Sequence, residues 1–191
     1  MALDRWLLHR CEDGHPTPVL RLYGWDRPTI TVGRHQDLES DRIDVQACRR
    51  LGVSVVRRPT GGRAVYHGKG LTYAVVGPIP RDAATVAATY RWVAAALVHG
   101  LAGIGLPVAE LGRQRGLEPG PLSAACYAAP SAGEVALGGH KWIGSAQRRL
   151  RRAFLQHGAI PLADDAASRT ATRSASTLRR RAGSPRRRRP S

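Results

Sequence analysis

Lysine is nearly absent from this 191-residue chain: two lysines stand beside 28 arginines, and with only 14 acids the formal net charge is +16. Phenylalanine occurs once and aromatic residues make up 5% of the sequence, too few for the stacking platforms on which single-stranded nucleic acids are bound. Cys11, Cys48 and Cys126 are an odd number, widely spaced, with no CxxC pair, which argues against a disulfide framework and against a structural zinc site. No two of the seven histidines stand at HxH or HxxxH spacing, so no metal is expected. A GxxxxGKS/T loop and a strand-flanked GxGxxG are both missing, and with them the usual cradles for nucleotide phosphates. Long apolar runs are missing as well. Residues 93–98 form one of the longest, far short of the roughly 20 residues of a membrane span. Near the start, Asp4 and Arg5 are followed only by Trp6, Leu7 and Leu8, too little for the apolar region of a secretory leader. A cytoplasmic protein with free thiols is expected.

The positive charge is unevenly placed. Nine arginines and two acids, Asp164 and Asp165, follow Leu162, so that stretch of 29 residues carries +7 and residues 1–162 carry +9. Beyond Leu162 the composition is Ala, Ser, Thr, Arg and Pro with a single Leu. Such a stretch buries little apolar area against an ordering entropy of about 1–2 kcal/mol per residue, and a disordered Arg-rich tail, 163–191, is expected after a folded domain, 1–162.

Within the domain, residues 19–33 read as two short strands around a turn at Gly24 to Pro28, residues 36–51 as an amphipathic helix ending before Gly52, and residues 53–57 and 71–76 as further strands on either side of a turn-rich loop. An Ala-rich segment with Val86, Tyr90, Val93, Leu97 and Leu101 at three- and four-residue steps predicts a helix over 82–101, with Asp82 as its N-cap. Past a Gly/Pro-rich connector, residues 123–128, 134–137, 141–147 and 153–160 read as short strands, with Gly138-Gly139 a hairpin signal. Runs of strands broken by two helices make an α+β pattern, not a regular βαβ series.

Three places could carry chemistry. In RRPTGGRAVYH, residues 57–67, Pro59 pushes Arg58 into an extended conformation, and Gly61-Gly62 lets backbone N–H groups approach a ligand. Such a loop between strands can wrap a carboxylate, a phosphate or an acyl chain, and it can equally be a hairpin loop with solvated arginines. Lys141, in GGHKWIGSAQ, stands where this arginine-rich sequence would supply Arg if charge alone mattered; lysine is the compact donor that suits a base or a partner to an acyl carbonyl. A solvated surface lysine is the plain alternative, and Lys69, inside a turn, fits that description better. Cys126, in ACYAAPS, becomes a nucleophile if a cation such as Lys141, 15 residues on, lowers its pKa from about 8.5; otherwise it is a small core residue. Cys11 and Cys48 have weaker claims.

Taken in order, the segments YGWDRPTITVGRHQ, VVRRPTGGRAVYHGKGLTYAVV, ACYAAPSAGEVALGGHKWIGSAQRR and LQHGAIPL resemble the biotin/lipoate protein ligase superfamily, which holds lipoate-protein ligase A and the ligase-like octanoyltransferases. The resemblance covers roughly residues 20–162 and implies an α+β fold, an α/β mixed sheet with flanking helices of the class II synthetase/biotin ligase-like kind. By position it implies an acyl pocket lined by Arg58, Thr60, Gly61, Gly62 and His67, a contact from Lys141 to the acyl carbonyl, an opposing wall of Gly144, Ser145 and Ala146, and an end closed by His157-Gly158. The family runs on beyond its LQHG-type segment where this chain turns Arg-rich, so a shortened domain is expected.

The resemblance implies two chemistries. An octanoyltransferase takes octanoyl from acyl carrier protein onto Cys126, with Lys141 beside it, and passes it to a lysine of a lipoyl domain of a 2-oxo acid dehydrogenase or of glycine cleavage H protein, without a cofactor. A lipoate-protein ligase uses ATP and Mg to activate lipoate. The Ala-Cys-Tyr-x-x-Pro-Ser segment looks like that of the transferases, which is the reading preferred here, with a monomeric enzyme and no membrane partner. A third possibility, a nucleic-acid-binding protein acting through its arginines, would show steep salt dependence.

Overall fold

The computed structural model describes residues 1–39, 41, 43–110, 134–137 and 140–162. Helix α1 (Ala2–Glu12) opens the chain, followed by strands β1 (Val19–Tyr23) and β2 (Thr29–Val32), helix α2 (Val45–Arg50), and strands β3 (Ser54–Arg57), β4 (Val65–His67) and β5 (Leu71–Pro78). A 3-10 turn at Arg81–Ala83 leads into helix α3 (Val86–Gly103), then β6 (Val108–Glu110), β7 (Val135–Leu137), β8 (His140–Arg149) and β9 (Ala153–Ile160). The large sheet has the order β1-β5-β9-β8-β7-β6 with every pairing antiparallel. A small sheet, β3-β2-β4, is mixed: β2 runs parallel to β3 and antiparallel to β4. The α+β expectation holds.

Alternation along β5 and β9 explains why the large sheet is covered on both faces. Tyr73, Phe154 and Ile160 pack with Val93 and Ala94 of α3 and with Val135 and Ile143, while the intervening residues Ala74, Val76, Ala153 and Leu155 pack with Leu8 and Cys11 of α1. Buried Asp4, Leu8 and Cys11 recur at four- and three-residue steps, one helical stripe, with a carboxylate in it. Glu12, at the end of α1, accepts from the backbone N–H groups of Arg151, Arg152 and Ala153 and so ties the helix to the β8–β9 turn.

The two strands expected around Gly24 to Pro28 are present, and they part into different sheets: β1 pairs with β5 at one edge of the large sheet, and β2 is the centre of the small one. Two local expectations are corrected. The helix expected over 36–51 is only Val45–Arg50. At the start of the expected helix Gln36 Oε1 accepts from Gly33 N, and the Arg57 guanidinium takes the carbonyl of Gln36 together with those of Gly33 and Arg34. Asp82 lies in the 3-10 turn, and the N-cap of α3 is Thr85, whose hydroxyl accepts from Ala88 N at 3.0 Å. The predicted strand at 123–128, the hairpin turn at 138–139 and the expected tail, 163–191, lie outside the described residues. Helix α1 and strand β6 were not anticipated.

Candidate active site

The 57–63 loop is built around one buried arginine. Arg58, 4% exposed, donates through Nη1 to the Thr31 carbonyl (3.0 Å), through Nε and Nη2 to the Gly61 carbonyl (3.1 and 2.8 Å), and through Nη2 to the Arg63 carbonyl (2.7 Å). A rigid fork with donors on three sides can fold a loop back onto its own strand in this way. The loop reverses at Gly62, whose φ is +89°, and it returns so close to β2 that a Cβ on Gly33 would overlap the Gly62 carbonyl. The solvated-arginine alternative is therefore ruled out for Arg58.

Between this loop, β4 and the adjoining strands β8 and β9 lies a cleft with about 350 Å³ of empty space, its open mouth included. Of the residues predicted for the pocket, Arg58, His67, Gly144, Ser145, Ala146, His157 and Gly158 line it. Thr60 stands just behind, fully buried, with its hydroxyl 2.6 Å from His157 Nε2. Gly61 and Gly62 make the turn, the Gly61 carbonyl accepts from Arg58, and neither lines the cleft.

Two histidines sit in the walls as neutral rings. Burial, with the positive charge of Arg58 and the neighbouring His157, pushes the pKa of His67 down to about 4. Its Nε2 is 2.8 Å from Thr31 Oγ1, and Trp25 stacks on its ring with centroids 4.5 Å apart. Trp25 also donates to Thr72 Oγ1 at 2.9 Å, so the turn after β1 braces two residues of the wall. For His157, burial again lowers the pKa and Arg58 adds to it, against an upward pull from Asp4. At the β8 wall Ser145 is fixed on both sides: its hydroxyl lies 2.7 Å from Tyr73 OH, and its carbonyl accepts from Tyr90 OH at 2.9 Å. Gln156 Nε2 donates to Tyr73 OH at 3.3 Å. Gly158 is required at the floor, since a Cβ there would come within 2.6 Å of both the Gly144 carbonyl oxygen and the Tyr73 ring.

Lys141 is not a solvated surface lysine. Its Nζ is 2.7 Å from Glu134 Oε1, with side chains 7% and 4% exposed, next to the bulge where β7 meets β8. It does not line the cleft. Cys126 lies outside the described residues. The two cysteines that are described are poor nucleophiles, because burial raises the thiol pKa of both, with Glu12 adding to the effect at Cys11 and Asp44 at Cys48. Asp4, Trp25, Thr31, Thr72 and Tyr73 complete the site and were not singled out from sequence. For Trp25, Thr31 and Thr72 the signal was their place inside the quoted motifs; for Asp4 it was an acid on the apolar stripe of α1.

Residues 1–182 match the family model described as the lipoyl protein ligase A/B catalytic domain. The chain belongs to that family. Among its relatives are the octanoyltransferases LipM of Carboxydothermus hydrogenoformans, 44% identical over 169 residues that make up 86% of this chain and 61% of that one, and of Moorella thermoacetica, 41% identical over 164 residues, 85% and 60% of the two chains. This chain thus spans about three-fifths of the length of those relatives. Among solved structures it resembles a lipoate-protein ligase A bound with ATP, with a TM-score of 0.70 and 24% identity over 91% of this chain and 67% of that one. It also resembles protein Ta0514 of T. acidophilum with bound lipoic acid, with a TM-score of 0.65 and 24% identity over 86% and 62%. These two likenesses establish the fold, which is that of the lipoate-protein ligases with their class II synthetase-like architecture, as expected. None of the comparisons supports the nucleic-acid reading.

Proposed function

We propose that this lipoyl ligase A/B-type domain is the acyl-handling part of an octanoyltransferase, moving a medium-chain acyl group from acyl carrier protein to a lysine of a lipoyl domain, or of glycine cleavage H protein, in protein lipoylation. The observation that carries the proposal is the 37–44% identity to proteins named octanoyltransferase LipM across about 85% of the chain. The cleft agrees with it. A medium acyl chain needs a slot of small or neutral side chains, and glycines and Ala146 on β8 and β9 with two neutral histidines offer one.

The Cys126 thiolate would attack the carbonyl carbon of the donor thioester; the bond to the carrier's sulfur breaks and the carrier leaves as a thiol. The acceptor's lysine amine would then attack the enzyme thioester, forming an amide and returning the Cys126 thiol. Thioester exchange is nearly balanced in energy and the amide step runs downhill, so neither ATP nor another cofactor is required. Lys141 is the partner that the family resemblance assigns to Cys126, and its side chain is held at Glu134. The net +9 of residues 1–162 would speed encounter with acidic carrier and acceptor domains in a cytoplasmic setting.

Incubation of the protein with octanoyl-acyl carrier protein, followed by peptide mass spectrometry, should show an octanoyl mass on the Cys126 peptide, and Cys126→Ala should abolish transfer to a lipoyl domain. Acylation of the acceptor only in the presence of ATP, with Cys126→Ala fully active, would overturn this reading in favour of a lipoate-protein ligase.

A further inference from the structure

A carboxylate placed on the core face of a helix needs partners to stay charged, and Asp4 of α1, 0% exposed, has them on several sides. Its Oδ1 is in contact with Arg21 Nη1, and its Oδ2 accepts from Tyr23 OH at 3.2 Å. The same Oδ2 faces Nδ1 of His157 at 3.9 Å, and the Met1 nitrogen is 3.7 Å away. Burial by itself would raise the Asp4 pKa; the His157 ring facing it and the positive charges of the amino terminus and Arg21 outweigh it and hold the carboxyl below its ordinary value.

His157, 3% exposed, connects this carboxylate to the glycine-rich loop. Its Nδ1 is buried and has no hydrogen-bond partner within normal distance, so the nearby carboxylate is the group it is turned towards. A carboxylate only accepts, which places the hydrogen of the neutral ring on Nδ1 and leaves Nε2 as an acceptor. Nε2 is 2.6 Å from Thr60 Oγ1, so the Thr60 hydroxyl is the donor. The Thr60 carbonyl in turn takes Arg34 N at 2.8 Å. One chain of contacts thus links α1, β9 and the loop that closes the cleft.

We propose that Asp4 is a positioning residue of the acyl pocket: it holds His157 in the Nδ1–H tautomer, so that Nε2 accepts from Thr60 and pins the 58–63 loop against β9. The link to acyl binding rests on the function proposed above; the tautomer does not.

The test uses the full chain with 15N-labelled histidine and long-range proton–nitrogen correlation spectra, which read the protonated ring nitrogen directly. Wild type should show His157 as the neutral Nδ1–H form. Asp4→Asn, whose amide can donate to Nδ1, should move the hydrogen to Nε2 and weaken binding of octanoyl-pantetheine, followed on the same spectra, about tenfold, or about 1.4 kcal/mol. If Asp4→Asn does not fold, Thr60→Val and Thr60→Ser replace it: the valine should shift the Nε2 resonance towards that of a free acceptor, and the serine should restore it. An Nε2–H tautomer in wild type overturns the proposal, as does an Asp4→Asn variant with the wild-type tautomer and binding, or a Thr60→Val variant with an unmoved Nε2 resonance. Wild type that fails to bind octanoyl-pantetheine while showing Nδ1–H would overturn the functional reading and leave the tautomer assignment standing.

Discussion

Replacing Gly158 with alanine tests the geometry of the cleft floor at a single atom. The new Cβ would lie 2.6 Å from the Gly144 carbonyl oxygen, 2.6 Å from Cε1 of Tyr73 and 2.8 Å from Ser145 Oγ. None of these can easily yield. Gly144 and Ser145 are backbone-paired to Ala159 and Gly158 in the β8–β9 ladder, and Tyr73 is fully buried with its hydroxyl engaged by Ser145 and Gln156. Overpacking of this kind costs about 1–3 kcal/mol, and separating Tyr73 from Ser145 adds about 1 kcal/mol. At roughly 2–4 °C per kcal/mol for a domain of this size, the melting temperature should fall by roughly 5–15 °C, with octanoyl-pantetheine binding reduced as the floor is pushed outward. Thermal melts by circular dichroism, with Gly24→Ala as a control in open space, make the comparison. A Gly158→Ala protein that melts within about 2 °C of wild type and binds as well would refute the reasoning.

Three further outcomes follow from particular contacts. Gly100 lies in the interior of α3 with nothing within 4 Å of an added Cβ, so Gly100→Ala should stabilise the protein by about 0.5–1 kcal/mol in urea titration. Acid should weaken the fold well before the carboxylates titrate. His67 stays neutral to about pH 4 in the folded protein, whereas unfolded histidine protonates near 6.5; between those values the unfolded chain binds the extra proton, so about 3 kcal/mol of stability, present above pH 6.5, is lost as the pH falls to about 4. Asp4, held below its ordinary 3.8, adds its own loss only under that pH. Urea midpoints that stay level between pH 7 and 4.5 would contradict this. Finally, Glu12→Ala should speed hydrogen exchange at the amides of Arg151, Arg152 and Ala153, which lose their shared acceptor, with the α3 amides unchanged.

Several parts of the fold could be read along the chain because their causes are local. The spacing of Val93 and Leu97 makes α3, and the Gly61-Gly62 pair makes a tight return possible. Other parts could not. The partners of β1 and β2 depend on registers with residues more than 20 positions away, and nothing near Gly24 distinguishes a hairpin from two strands that part into different sheets. Residues 36–44 carry an apolar pattern compatible with a helix, and the Arg57 side chain, arriving from β3, takes the Gln36 carbonyl at its start. The place of Asp4 was not legible, because helix α1 was not anticipated and the partners Arg21, Tyr23 and His157 come from two other elements.

From sequence alone came the family resemblance, the rare lysine at position 141 and the ordered motifs around Arg58 and His157, because residue type and spacing are properties of the chain. Only the tertiary structure decided that Arg58 is a clamp, that Lys141 is buried against Glu134, and that Thr60, His157 and Asp4 stand in one line. Burial and hydrogen-bond partnership arise when the two sheets and α1 close on each other, and a contact between positions 4, 60 and 157 has no counterpart in any local window of the sequence.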